Sequence, residues 1–117
     1  MAKQAHREYR QKFQKFFNDF DVLATPVTAT TAFTIGKRPL KINEQKVKWL
    51  WGAFPFTSPF NVSGNPAASI PCGISGSLPV GLQLVGSWNA EELLLNLSED
   101  LEQAIEFDDS QVRNKWR

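Results

Sequence analysis

A chain of 117 residues, 42% hydrophobic and 21% charged, is long enough to bury a core without disulfides and too apolar to be read as disordered. Its net charge of +1 points to no polyanionic partner, and a lone Cys72 excludes an intramolecular disulfide or a cysteine-based metal cluster, so neither metal nor cofactor is expected. The polar start MAKQAHREYR is no secretory signal, and no stretch approaches about 18 continuous apolar residues, so a membrane partner is not expected and a reducing cytoplasm is the expected setting.

From Lys3 to Phe20 the residues Tyr9, Phe13, Phe16, Phe17 and Phe20 recur at spacings of three and four, which predicts an amphipathic helix. Lys3, Arg7, Arg10, Lys12 and Lys15 share that helix. Residues 1–50 hold 10 Lys/Arg against 4 Asp/Glu, and residues 51–117 hold 3 against 8. A solvated helix face accounts for the basic cluster, so no nucleic-acid partner is expected, and the opposite charges could help the two ends lie together. The run Val22 to Thr25, ended by Pro26, predicts a short buried strand. The Thr-rich stretch after it, broken by Gly36 and Pro39, reads as a long loop.

Asn43 is expected to cap a short helix through Trp51, with Val47, Leu50, Trp51 and Phe54 along one side, stopped by Pro55 and Pro59. AASIPC and VGLQLVG read as strands joined by GISGSLP, with near-continuous apolar runs suited to a sheet covered on both faces. Asn89 to Glu92 has capping-box spacing, and Leu94, Leu97, Leu101, Ala104 and Ile105 predict a closing helix over 90–106. The tail 108–117 shows no period and is expected to fray or to pack through Trp116.

Trp49 to Ala90 contains no Asp, Glu, Lys, Arg or His, and it holds five of the seven prolines and six of the seven glycines. Two helices cover only one face of a three-stranded sheet, so such a run asks for a cover from outside. Within and around it, FDVLATPVT, PFTSPFNVSGNPAASIPCG and SLPVGLQLVGSWNAEELLL, in this order, resemble the C-terminal portion of amidase signature family enzymes. The resemblance covers about residues 20 to 105.

What the resemblance implies is an α/β fold, with about three strands of a mixed sheet and flanking helices supplied by residues 1–107 as the C-terminal segment of an amidase-type domain. Enzymes of this family hydrolyse amides with a Ser nucleophile, a second Ser and a proton-moving Lys. The Gly/Ser-rich stretch carrying that nucleophile is not in this sequence, so no catalytic residue is assigned. Ser63, Ser69, Ser75 and Ser77 lack a nearby base and read as turn and backbone-capping residues. His6 reads as a solvated helix residue and Cys72 as a small buried side chain.

The resemblance places FPFTSPFN near the substrate cleft and makes Phe54, Thr57, Phe60 and Asn61 the candidate substrate-binding residues, though ordinary packing of the aromatics explains them equally well. In the tRNA-dependent amidotransferase subunit of this family an acidic residue, able to hold the substrate's amino group, stands three positions before the Thr matching Thr57. Here that place is Phe54, which favours an apolar or aryl amide over glutamine. The expected partner is the missing N-terminal part of the amidase fold; the alternatives are a stand-alone interaction module that joins a second copy of the chain through the uncharged sheet face, and a piece of a glutamyl-tRNA(Gln) amidotransferase subunit, which Phe54 speaks against. A small amide substrate is expected only in the complete enzyme.

Overall fold

The computed structural model describes residues 1–114. In chain order the elements are α1 (Ala2–Phe16), β1 (Val22–Pro26), β2 (Lys41–Ile42), β3 (Gln45–Lys46), α2 (Ser58–Ser63), β4 (Ala67–Ser75), β5 (Leu78–Gly86), α3 (Glu91–Ile105) and α4 (Ser110–Arg113). The fold is a small α/β arrangement whose main sheet has the order β1-β5-β4, all neighbours antiparallel.

The register fixes what each face of this sheet meets. Val22 pairs with Gly86, Ala24 with Leu84 and Pro26 with Leu82, while Ala68 and Ile70 oppose Leu84 and Leu82. Side chains alternate along a strand, so these even-numbered positions share one face. On it, Ile70 and Leu84 pack against Leu94 of α3, with Val22, Ala68, Leu82, Leu97, Leu101 and Ile105 around them. The helix therefore buries the face its spacing of three and four predicts. Gly86 lets α3 approach closely here: an added Cβ would stand 3.0 Å from that of Ala90 and 3.4 Å from Leu94 Cγ, so the helix would have to give by a few tenths of an ångström.

On the opposite face the chain's own residues 53–63 cover the middle strand, while Ala67 and Ser69 of β4 stay exposed. Gln83 is buried, and its Nε2 donates to Thr25 Oγ1 at 2.8 Å and to the Phe56 carbonyl at 2.9 Å. Val85 and Ser63 are fully enclosed. α1 packs on α2, with Phe13 and Phe60 in an edge-on contact, ring centroids 5.5 Å apart. No ion pair joins α1 to α3 among the described residues, so the opposite charges of the two halves do not meet.

Three expectations are corrected by local chemistry. The helix expected from Asn43 to Trp51 is replaced by the β2–β3 hairpin, followed by turns. Asn43 and Glu44 have φ of 48° and 62°, the left-handed pair of a two-residue hairpin turn, which stops a helix before it starts. Pro59, expected to end a helix, instead lies in the first turn of α2, where a missing N–H costs nothing. α2 then ends on Gly64 at φ 74°. Cys72, expected to be buried, is exposed at the β4 irregularity between Pro71 and Gly73.

Asn89 is itself left-handed at φ 64°, and α3 starts after Ala90 without a side-chain cap. The tail forms α4 over Ser110–Arg113, while Trp116 lies outside the described residues. α4 is held locally: Ser110 N–H donates to Asp108 Oδ1 at 2.9 Å, and Arg113 pairs with Asp109.

The molecule is open. Its radius of gyration is 16.5 Å, whereas a compact chain of this length has about 13 Å. Its accessible area of 8875 Å² exceeds the roughly 6,400 Å² of a folded monomer of this mass.

Candidate functional site

The segment 53–61 runs from a buried anchor to a solvent-facing helix turn. Ala53 is buried and its carbonyl accepts the Ala29 N–H at 3.0 Å, which ties the Thr-rich loop to the segment. Phe54 is half-buried beside Phe33, ring centroids 6.3 Å apart. The Arg38 guanidinium lies 5.6 Å from the Phe54 ring centroid and 4.9 Å from that of Trp49, and it donates to the Leu50 carbonyl at 2.9 Å. This stacking holds a cation against two aromatic faces.

Thr57 occupies the position before α2, half-buried, with its carbonyl accepting the Phe60 N–H at 3.2 Å. Phe60 is buried in the contact with α1, and Asn61 is exposed on the next position of α2. The four candidates thus lie along one segment without converging on one cavity.

Two clefts flank the Thr-rich loop. One, of about 510 Å³, lies between the open end of the sheet and the loop and is lined by Ala24, Thr28, Thr30, Thr31, Cys72 and Val80 among others. The other, of about 460 Å³, is lined by Ala29, Ile42, Val47, Trp51, Gly52 and Pro55 among others. None of the four candidates lines either cleft. The first wall is mostly apolar with a few hydroxyls, a surface suited to holding an uncharged group, whereas the second carries the amides of Asn43 and Gln45 and the Lys48 side chain in place of hydroxyls. Sequence reasoning misses the Thr run and Arg38, which read as plain loop. The signal for them is position, since the run leaves directly from the end of a strand, where open-sheet proteins often build sites.

The chemistry these side chains can perform is limited. The Ser63 hydroxyl donates to the Phe60 carbonyl at 3.4 Å, whereas Ser69, Ser75 and Ser77 are exposed. No serine hydroxyl is hydrogen-bonded to a Lys or His among the described residues, and His6 instead donates from Nε2 to the Val62 carbonyl at 2.8 Å. No group of three metal-ligating side chains occurs among the described residues. The titration shifts that stand out belong to α4: the Ser110 N–H holds Asp108 below the ordinary carboxylate value, and Asp109 raises Arg113. No helix among the described residues is long and apolar enough to cross a membrane.

Comparison with known proteins gives this arrangement its relatives. The sequence model of the amidase family matches residues 1–95. A glutamyl-tRNA(Gln) amidotransferase subunit of Clostridium botulinum (strain Kyoto / Type A2) is 37% identical over 98 residues, covering 84% of this chain and 19% of the relative. A bacterial aryl acylamidase of the amidase signature enzymes superposes with a TM-score of 0.73 at 29% identity, over 85% of this chain and 21% of that one. The crystal structure of an amidase gives 0.81 at 25% identity, over 89% of this chain and 24% of its own. The chain spans about a fifth of the length of the curated relatives it matches. With the family's sequence model matched over most of its length and the same α/β layer found in solved amidases, the chain belongs to the amidase family.

Proposed function

We propose that the chain is the C-terminal segment of an amidase-type enzyme that hydrolyses carboxylic amide C–N bonds. It supplies the closing part of the sheet and cleft wall and is inactive alone. The observation that carries this reading is coverage: residues 1–95 match the family, yet the chain spans only 19% of its curated relative. The surplus of exposed area supports it, since a surface made for an intramolecular interface stays bare when the chain stands alone.

In the complete enzyme, Phe54, Thr57 and Asn61 contribute to the substrate wall, with Phe60 holding α2 against α1 behind them, and an apolar or aryl amide suits Phe54 better than an amine-bearing one. The partner is the remaining part of the amidase fold, or a second copy through the uncharged sheet face, in a reducing cytoplasm. Assaying the purified chain on anilide substrates tests the reading. No turnover is expected, and turnover abolished by replacing one of its serines overturns it.

A second reading, a piece of a glutamyl-tRNA(Gln) amidotransferase subunit, is favoured by the 37% identity to that relative but opposed by Phe54. Glutamine-dependent ammonia release by the complete enzyme would favour it. Light scattering separates the partner readings, because a discrete dimer supports the second copy.

A further inference from the structure

α1 carries Lys3, Arg7 and Arg10 at steps of four and three, so the three cations share one face of the helix. Together with His6, Gln11 and Trp88 they line a cleft of about 510 Å³ that no carboxylate enters. Three of its members are partly used by the fold. Arg10 donates from Nε to the Ser63 carbonyl at 3.0 Å, His6 donates to the Val62 carbonyl, and both bonds satisfy the end of α2. The Trp88 indole N–H donates to the same Ser63 carbonyl at 3.2 Å, and the Arg10 guanidinium carbon stands 4.5 Å from the Trp88 ring centroid.

These contacts fix Arg10 and leave the cleft's charge unspent. Among the described residues neither Lys3 nor Arg7 makes an ion pair or a side-chain hydrogen bond. Like charges at such spacing repel, and α1 has no acid in its first turn to offset either them or the positive end of its dipole. A bound anion relieves all three at once. We propose that this cleft binds a phosphate group, with Lys3, Arg7 and the outer nitrogens of Arg10 as its donors and Trp88 as the plane that orients Arg10. The fork of a guanidinium matches phosphate oxygens in pairs, which favours a phosphoryl oxyanion over a single-point anion such as chloride.

The test is a titration of the full ¹⁵N-labelled chain with inorganic phosphate, read at the Trp88 indole N–H, against sodium chloride at equal ionic strength. A saturable shift with phosphate and none with chloride is expected. The K3Q/R7Q variant, whose replaced side chains hold nothing else and whose glutamines suit a helix, should bind about tenfold more weakly with unchanged far-UV circular dichroism. Absence of saturation, an equal shift with chloride, or undiminished binding by K3Q/R7Q overturns the proposal. A short RNA oligonucleotide distinguishes the sources of the phosphate: displacement assigns the group to a nucleic-acid backbone, and no displacement assigns it to a small phosphate ester, the site standing in both cases.

Discussion

The sheet with α3 and the segment from Thr28 to Thr57 are similarly rich in apolar residues, yet they dispose of them in opposite ways. Leu84 is 2% exposed and Val85 fully enclosed, whereas Ile35 is 99% exposed and Trp51 is 59% exposed. The difference is one of backbone. β5 is paired on both sides and carries a helix over one face, so its side chains have layers to close against. Among the described residues the Thr28–Thr57 segment pairs Lys41–Ile42 with Gln45–Lys46 alone, and its aromatics meet one another and Arg38. Hydrophobicity alone does not bury a residue; a second layer must be present to receive it.

Replacing one large residue in each region sharpens this contrast most. Leu84→Ala should cost about 2–5 kcal/mol, because a cavity opens beneath α3. Trp51→Ala should stay within about 0.5 kcal/mol in the isolated chain, as exposed substitutions do. Urea denaturation of the two variants measures both, and equal costs would break the comparison. Gln83→Met probes the link between the regions. It leaves the Phe56 carbonyl and Thr25 hydroxyl without their donor, at about 1–3 kcal/mol, and should speed amide exchange in residues 53–57.

Smaller effects fall at the margins. Arg38→Gln should lose about 0.5–1 kcal/mol of stacking on Trp49 and Phe54, read as a change in tryptophan emission with little shift in the melting midpoint. The smallest effect is acid-dependent. Because Asp108 has its folded value lowered by the Ser110 N–H, its contribution to α4 is present above the ordinary carboxylate value and is lost as pH falls through the folded one. The Ser110 amide shift should therefore titrate in acid in the parent chain and stay flat in Asp108→Asn.

Much of the fold is legible where one period dominates. α1, β1, the β4–β5 hairpin and α3 follow directly from the phenylalanine spacing, the run before Pro26, the two apolar stretches and the leucine ladder. The region after Asn43 misleads for a physical reason: Val47, Leu50, Trp51 and Phe54 keep helical spacing, but Asn43 and Glu44 adopt the left-handed pair of a two-residue hairpin turn, which pairs the flanking residues before a helix can start. Pro59 reads as a residue able to stop a helix, and the same fixed backbone angle lets it begin one. The candidate site is legible as a segment, not as a cavity. Which of Phe54 and Phe60 faces solvent depends on α1, whose docking onto α2 no local pattern encodes.

The alternation of hydrogen bonds along β5 sets a limit on its neighbours. Gly86 N–H donates to the Pro66 carbonyl and Val27 N–H to the Gly81 carbonyl. On β1 the residues turned away from β5 are therefore Val22, Ala24 and Pro26, and on β4 they are Ala67, Ser69 and Pro71. On each rim the third of these positions has no N–H to give. A foreign strand laid along either rim would lose its ladder after two donors, so the prolines act as stops against runaway stacking of chains while leaving a short landing place for a strand with the right register.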